Sequence, residues 1–291
     1  MTIQRHFQAP PGGRRRVLAG LLALAAAPFA SAEERFSFFL GTPETAVMQM
    51  LKLAGVGSDD LVLDLGSGDG RIPIFAARHF GARGWGVDLN PRLVAESIEN
   101  ARKAGVTDRV RFETRDVLRT DTAPATVVTI YLLPGLVDQL RDKLLRELQP
   151  GSRIVMHDFT FAAWAPDRTL RFHAPEKFEG RGGESTVSVW IVPADVFGVW
   201  RLDWSGAAAE IVLRQQFQVL EGEVLIGRDR FDLIEPRIEG NRLSFGADLP
   251  VAGRRERHRF EGRVHGGEAS GSVRRDSAVA FDWRAVRVRV R

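Results

Sequence analysis

A glycine-rich turn, Asp64-Leu65-Gly66-Ser67-Gly68-Asp69-Gly70, follows a short apolar run at 61–65 and precedes a helical pattern at 71–79. The run predicts a buried strand, so the turn is a strand-to-helix junction. Glycines allow a ligand to approach the backbone closely, and the N terminus of the following helix offers free N–H groups. This junction constrains the fold most, because such turns are typical of parallel α/β sheets.

Strand and helix patterns alternate on both sides of this turn. The predicted strands are 85–88, 110–113, 126–132 and 153–157, and the predicted helices are 42–54 (with Thr42 as N-cap and Pro43 as first residue), 91–104 and 137–148. Such alternation predicts a parallel sheet covered on both faces. The alternation of strands and helices then ends, because 170–172 and 186–191 are predicted as strands with no helix of similar length between them. We therefore expect the sheet to end in an antiparallel β-hairpin.

The periodicity changes after Pro193. Seven alternating runs predict an antiparallel meander, a small barrel or sandwich of about eight strands: 198–204, 210–216, 218–226, 230–234, 242–245, 258–264 and 278–289. Trp200 near its start and Trp283-Arg284 near its end resemble lipocalin-like barrels, in which an early Trp packs on a late Arg at the barrel base. Packing is the default interpretation of these residues, and a ligand cavity or a protein-docking surface is the alternative.

The first 32 residues have the pattern of a signal peptide. Arg14-Arg15-Arg16 precedes an apolar run at 17–29, and Ala30-Ser31-Ala32 provides a cleavage site. The arginine pair resembles the bacterial twin-arginine signal, although Gly13 stands where Ser or Thr is usual. We expect export to the periplasm with only transient membrane contact, and an uncleaved N-terminal anchor is the alternative. The predicted domains are then 33–194 and 195–291.

Composition excludes several classes of site. The formal net charge of +4 comes from the signal-like segment, because without its four arginines the basic residues equal the 37 acidic ones. A nucleic-acid-binding protein would need a basic stripe on its folded body, so no nucleic-acid partner is expected. The chain has no cysteine, and its six histidines show no metal-ligand spacing, so no metal site is expected.

The spacing of the turn indicates which ligand it binds. A dinucleotide fingerprint would place its third glycine at position 71, where this chain has Arg71. Asp88 ends the second strand, and its carboxylate is placed to accept hydrogen bonds from ribose hydroxyls; the alternative is an acid favoured by the helix dipole before Pro91. Asp116 follows the third strand and is placed to accept from an adenine amino group, or else is a solvated loop acid. The predicted cofactor site comprises Asp64, Gly66, Ser67, Gly68, Gly70, Asp88, Asp116 and the backbone N–H of Val117.

Three segments together resemble one family: Thr42-Pro43-Glu44, the turn continued through Arg71-Ile72, and Tyr131-Leu132-Leu133-Pro134. They are similar to class I S-adenosylmethionine-dependent methyltransferases, in particular to small archaeal protein-lysine methyltransferases and mitochondrial enzymes that methylate lysines of inner-membrane proteins. The resemblance covers about 36–165. It implies a Rossmann-like α/β sheet, S-adenosylmethionine as cofactor, cofactor roles for Asp64, Gly66, Gly68, Asp88 and Asp116, and an acceptor channel bordered by Thr42, Tyr131 and Pro134. The family's domain often stands alone, is not secreted and lacks the β-rich tail, so the substrate stays open.

Methyl transfer from a sulfonium is an in-line displacement that mainly requires a well-placed nucleophile. A lysine acceptor must be neutral, and a nearby sulfonium in a dry channel lowers its pKa. Tyr131 could steer the amine and His157 could act as a base or line the pocket, although either could instead be structural. The resemblance implies a lysine-bearing protein substrate. The alternatives are a small-molecule or lipid acceptor, or an exported binding protein without catalysis.

Overall fold

The computed structural model describes residues 41–204, 207–275 and 278–289. The predicted signal peptide at 1–32 lies outside these residues. Among them, no helix combines the length and apolar character that crossing a membrane requires. The described strands form two sheets, and the change from one sheet to the other falls between Ile191 and Gly198.

The first sheet has seven strands in the order β3-β2-β1-β4-β5-β7-β6. The strands are β1 (Leu61–Leu65), β2 (Arg83–Asp88), β3 (Val110–Thr114), β4 (Val127–Ile130), β5 (Arg153–His157), β6 (Arg168–Ala174) and β7 (Gly183–Ile191). The helices are α1 (Glu44–Leu53), α2 (Arg71–Phe80), α3 (Pro91–Ala104), α4 (Pro134–Glu147) and α5 (Lys177–Gly180). The first five strands are parallel, and β7 runs antiparallel to both β5 and β6. This confirms the predicted Rossmann-like sheet with a terminal hairpin.

Two helix starts differ from the prediction. Thr42 does not cap α1, because Pro43 is the N-cap residue and no side chain caps this helix. The backbone carbonyl of Thr42 instead accepts a hydrogen bond from Arg71 at 2.9 Å. Helix α4 begins at Pro134 rather than at residue 137, because a proline suits the first turn, where its missing N–H has no partner to lose.

The second sheet contains nine strands among the described residues, and it closes into an antiparallel barrel. The strands are β8 (Gly198–Trp204), β9 (Ala207–Gln216), β10 (Val219–Ile226), β11 (Asp229–Asp232), β12 (Ile234–Glu239), β13 (Arg242–Val251), β14 (Arg254–His265), β15 (Glu268–Arg275) and β16 (Ala278–Arg289). Pairing of β10 with β9 closes the ring. Strands β11 and β12 both pair with β10, so β11 extends beside a closed ring of eight. The predicted barrel is therefore confirmed, although one predicted run splits at Leu233 and β15 was not predicted.

Large aromatic side chains pack together inside the barrel, and they include Trp200, Trp204, Phe245, Phe260 and Trp283. Such packing agrees with the default interpretation of these residues rather than with a ligand cavity.

The lipocalin-like pairing needs a correction. The cation over Trp200 is Arg287, at 4.7 Å from the ring centroid, and not Arg284. Arg287 is the residue that faces Trp200 across β16 and β8. Arg284 points outward and pairs with Glu268 at 2.9 Å.

Candidate active site

The glycine-rich turn joins β1 to α2 at the carboxyl edge of the parallel strands. Gly66, Gly68 and Gly70 have φ values of 83°, 53° and 79°. Side-chain-bearing residues rarely adopt this left-handed backbone, so the alternation of glycines is a conformational requirement. A Cβ at Gly66 would also lie 2.7 Å from Leu132. The turn therefore requires glycine at these positions, and its Gly66 and Ser67 amides both donate to the Val87 carbonyl at 2.9 Å.

Helix α3 supports this turn from behind with two polar side chains that the sequence analysis missed. Ser97 donates a hydrogen bond to the Gly68 carbonyl at 2.8 Å, and Asn100 donates one to the Asp69 carbonyl at 3.0 Å. Their spacing of three residues puts both on one face of the helix, which is the signal that could have identified them. These contacts fix the orientation of the turn.

Asp88 contacts the turn directly. One carboxylate oxygen accepts a hydrogen bond from the Gly68 amide at 2.9 Å, and the other accepts one from the Asn90 amide at 2.9 Å. Each oxygen keeps a further lone pair, so the carboxylate can still accept from two ligand hydroxyls. The ribose role assigned to Asp88 stays a prediction that this geometry permits.

Asp64 lies beneath the turn, where it is buried within β1. Its carboxyl accepts a hydrogen bond from the Thr129 hydroxyl at 2.7 Å. Burial, with a smaller contribution from the nearby charges of Asp88 and Asp69, raises the pKa of Asp64 to about 7, although the hydrogen bond from Thr129 acts in the opposite direction. A cationic ligand close to this carboxyl would favour its ionised form. Ser67 is also buried here, and its hydroxyl has no hydrogen-bond partner among the described residues.

The end of β3 reaches the same edge, because the Arg115 amide donates to the Asp88 carbonyl at 2.9 Å. Asp116 caps a short 3-10 helix (Val117–Arg119) by accepting from the Leu118 amide at 2.9 Å. The Val117 side chain is buried in the core, so only its backbone is available for a ligand. The adenine roles of Asp116 and Val117 stay predictions.

Two apolar side chains at this edge were missed. Leu89, directly after β2, is 56% exposed, and Leu118 is 37% exposed. Exposed leucines beside Asp88 and Asp116 provide apolar surface on which a flat ring can pack. Each directly follows a predicted ligand segment, Leu89 after Asp88 and Leu118 after Asp116-Val117, which is the signal that could have identified them.

Aromatic side chains form the wall next to β4 and β5. The half-buried ring of Tyr131 lies 4.6 Å from the His157 ring and 5.8 Å from the Phe159 ring. Burial raises the pKa of the Tyr131 hydroxyl, and the charge of Asp158 contributes in the same direction. The structure therefore brings together the two candidate catalytic residues, Tyr131 and His157.

His157 is fully buried, and its Nε2 lies 3.0 Å from the Ser185 hydroxyl. Its Nδ1 has no partner among the described residues. Burial lowers the pKa of His157 to about 4, so the imidazole is neutral near pH 7. A base this weak cannot take a proton from an alkylammonium efficiently, which favours the pocket-lining role over the base.

The remaining predicted channel residues lie on two sides of the turn. Thr42 is buried and is tied through Arg71 to Asp69, which pairs with Arg71 at 2.6 Å. Pro134 is exposed at the start of α4, next to Leu133, which is also exposed. Their acceptor-channel roles stay predictions. Among the described residues, no group of histidine or acidic side chains is arranged to hold a metal ion.

Similarity to known proteins identifies the family. A sequence profile of the ANTKMT methyltransferase domain matches residues 64–168. A protein-lysine N-methyltransferase of Saccharolobus islandicus is 40% identical over 134 residues, which are 46% of this chain and 83% of that protein. The chain belongs to the protein-lysine methyltransferase family. It is an S-adenosylmethionine-dependent methyltransferase, as the resemblance implied.

A more distant relative matches over a smaller share of its own length. The adenine nucleotide translocase lysine N-methyltransferase of Mus musculus is 32% identical over 153 residues, which are 52% of this chain and 61% of that protein. The chain thus spans less than two thirds of the length of this animal relative. Among solved structures, an RNA methyltransferase from Salinibacter ruber in complex with S-adenosyl-L-homocysteine is 45% identical, with a TM-score of 0.49, over 54% of this chain and 96% of that chain.

The residues of this methyltransferase fit its cofactor. The turn has the left-handed backbone of a glycine-rich ligand loop at Gly66, Gly68 and Gly70, and Ser67 keeps a buried hydroxyl without a partner among the described residues. Asp88 retains free acceptor lone pairs at the neighbouring strand end. A cation such as a methionine ammonium or sulfonium would also relieve the unfavourable ionisation of Asp64. S-adenosylmethionine, when bound, supplies an electrophilic methyl group on a sulfonium.

Proposed function

We propose that this methyltransferase methylates lysine side chains of a protein substrate. The proposal is carried by the uncharged aromatic wall in which Tyr131 packs on neutral His157 at 4.6 Å, at the strand ends beside the cofactor turn. Kinship with a protein-lysine N-methyltransferase at 40% identity supports the same substrate class.

The aromatic wall favours the reactive form of an amine. A free lysine has a pKa of about 10.4, and keeping it neutral at pH 7 costs roughly 4.6 kcal/mol. Tyr131, His157 and Phe159 form a surface of aromatic rings, and an amine that packs against it loses part of its hydration, which lowers the amine pKa. His157 adds no positive charge to the wall and takes no proton, so the amine releases its proton to solvent before methyl transfer. The Tyr131 hydroxyl stays protonated and can orient the nitrogen lone pair by a hydrogen bond.

Labelled cofactor tests this function directly. Purified protein would be incubated with S-adenosylmethionine carrying a deuterated methyl group and with a cell-envelope extract, followed by mass spectrometry of proteins, RNA and small molecules. We expect label on lysine Nζ atoms of one or a few proteins. Label confined to lipids, RNA or other small molecules would refute a lysine acceptor.

We also propose that the chain is exported, on the pattern of Arg14-Arg15-Arg16, the apolar run at 17–29 and Ala30-Ser31-Ala32. Sequencing the N terminus of the protein from fractionated cells tests it. A periplasmic protein that begins at Glu33 is expected, whereas a cytoplasmic protein with its first residues intact would exclude export.

A further inference from the structure

The ammonium group of Lys177 lies in a three-sided cradle at the start of α5. It donates to the Asp158 carboxylate at 2.7 Å and also to the backbone carbonyl of Glu184. The ring of Phe178 forms the third side, with its centroid 5.4 Å from Nζ. A carboxylate, a carbonyl and an aromatic face are the groups that bind an alkylammonium ion in proteins. The Lys177 side chain is only 13% exposed, so the cradle encloses it.

Two walls of this cradle have a backbone conformation that is uncommon for their residue types. Asp158 has a φ of 59° and Phe178 has a φ of 53°. Residues other than glycine keep such angles only when their surroundings impose them, and they concentrate at functional sites. For Asp158 the surroundings are Thr186, whose amide donates to the Asp158 carboxylate at 2.9 Å and whose carbonyl accepts from the Asp158 amide at 2.8 Å.

Gly183 leaves space for the Phe178 ring, which is the third wall of the cradle. A Cβ at Gly183 would lie 2.7 Å from the Phe178 ring and 3.3 Å from the Lys177 stem. The absent side chain lets the ring and the lysine stem pack against this strand start. Phe178 itself remains 59% exposed, so the cradle has an apolar outer lip.

The cradle lies on the acceptor side of the site. Asp158 directly follows β5 and His157, whose ring contacts Tyr131. The negative charge of Asp158 is close enough to raise the pKa of the Tyr131 hydroxyl. An ammonium held by Asp158 is therefore next to the aromatic wall on which the proposed function depends.

We propose that this cradle is the docking site for the ammonium of the incoming substrate lysine, and that the ammonium of Lys177 fills it when no substrate is bound. Asp158 selects an alkylammonium at the entrance, and Lys177 must withdraw before the substrate lysine can bind. The docked lysine then loses its proton to solvent as it moves to the wall of Tyr131 and His157. The inference rests on the proposed lysine acceptor, but its binding step can be measured without methyl transfer.

Two substitutions separate this role from a purely structural ion pair. Lys177→Met keeps the length of the stem and removes the competing charge. Asp158→Asn removes the carboxylate charge, yet asparagine tolerates the left-handed backbone and its carbonyl can still accept from Thr186. If Lys177 and Asp158 form a purely structural ion pair, both changes should shift the affinity for an ammonium ligand in the same direction. A docking site predicts opposite directions.

The binding test uses n-butylammonium chloride as the probe, titrated calorimetrically into the full chain saturated with S-adenosyl-L-homocysteine. Lys177→Met should bind the probe about 10-fold or more tightly than the unmodified chain, because the vacated carboxylate gains a charge-assisted hydrogen bond. The double variant with Asp158→Asn should lose that gain. Lys52→Met, which changes an exposed lysine of α1, is the matched control and should bind as the unmodified chain does. No gain in Lys177→Met, or an equal gain in the double variant, would overturn the proposal.

Methyl transfer to poly-L-lysine provides a second measurement. Lys177→Met should lower the KM for poly-L-lysine and Asp158→Asn should raise it about 10-fold, with the Kd for S-adenosylmethionine unchanged in both. A KM that shifts the same way in both variants would refute the docking role. If the unmodified chain transfers no methyl to any lysine, the proposed function fails, and the butylammonium titration still decides whether the cradle docks an ammonium.

Discussion

The indole N–H of Trp164, which follows β5, donates a hydrogen bond to the side-chain oxygen of Gln218, in the β9–β10 turn of the barrel, at 2.7 Å. The ring of Phe217 stacks on the same indole at 5.3 Å, and Gln218 in turn donates to the Ala165 carbonyl at 2.8 Å. Trp164 is almost fully buried by these contacts. The barrel is thus joined to the methyltransferase sheet by a buried, hydrogen-bonded aromatic contact.

Gln218→Ala should destabilise the protein by about 1–3 kcal/mol, because it leaves a buried indole N–H without a partner. Urea unfolding of the variant and the unmodified chain, monitored by tryptophan fluorescence, measures the loss. Gln139→Ala, on the exposed face of α4, is the control and should be nearly neutral. Equal effects at the two positions would show that the contact contributes nothing.

Asp64→Asn should stabilise the free protein at alkaline pH. The pKa of Asp64 is raised from 3.8 to about 7 by burial, so between these values the folded chain holds a proton that the unfolded chain has lost. Stability therefore falls as pH rises through this window, by on the order of 4 kcal/mol in total. Asparagine carries no such cost and can still accept from Thr129.

Urea unfolding at pH 4 and pH 8 tests this assignment. The variant should gain little at pH 4 and most at pH 8, while its affinity for S-adenosylmethionine should fall because the ionisable group beneath the turn is gone. Asp108→Asn, a change at an exposed carboxylate, should show no pH-dependent gain. A gain of the same size at both pH values would mean that Asp64 is ionised normally.

His157→Gln should show the opposite pH dependence at acidic pH. Burial lowers the pKa of His157 from 6.5 to about 4, so between these values the unfolded chain binds a proton that the folded chain does not. The imidazole therefore costs stability as pH falls below 6.5, by about 1.4 kcal/mol for each pH unit.

The variant loses packing contacts at every pH. Because glutamine does not titrate, however, it does not lose stability through this protonation at acidic pH. Urea unfolding should give the variant a lower free energy of unfolding than the unmodified chain. This difference should shrink by about 2 kcal/mol between pH 6.5 and pH 5. His173→Gln, at an exposed histidine, is the control, and its difference in free energy of unfolding from the unmodified chain should be the same at both pH values. A deficit for His157→Gln that is constant across this range would show that His157 protonates freely in the folded state.

Local patterns predicted much of the methyltransferase sheet, because each strand and helix of an α/β unit is a continuous run with its own periodicity. The glycine spacing of the turn likewise follows from local backbone geometry, as the left-handed angles at Gly66, Gly68 and Gly70 demonstrate. Contacts between residues that are far apart in the sequence were harder to predict. The Arg287 cation over Trp200 depends on the register between β16 and β8, and a shift of three residues separates it from the predicted Arg284.

Strand β15 shows why one barrel strand was missed. Its inward positions include Gly271, which pairs with Gly262 of β14, so the apolar alternation is interrupted. A Cβ at Gly262 would lie 2.5 Å from the indole of Trp283. The aromatic ring from β16 fills the space that side chains on β14 and β15 would otherwise occupy, and such compensation between strands is not visible in one segment alone.

The cradle of Lys177 was missed for a related reason. His157 was predicted to act as a base or to line the pocket, and the Asp158 carboxylate beside it lies 3.4 Å from His157 Nε2. His157 is buried against Ser185, and Asp158 reaches Lys177 across the β6–β7 connection. No spacing rule joins residues 158, 177 and 184, because the hairpin brings them together only after the sheet has formed.

Binding of S-adenosylmethionine to Asp88→Ala, measured by isothermal titration calorimetry against the unmodified chain, tests the cofactor site most directly. Asp88 orients the Gly68 amide and keeps lone pairs for two ribose hydroxyls. We predict an affinity about 100-fold or more weaker, since two charge-assisted hydrogen bonds are lost. Asp108→Asn should bind normally. An unchanged affinity in a folded Asp88→Ala protein would contradict the placement of the cofactor at this turn.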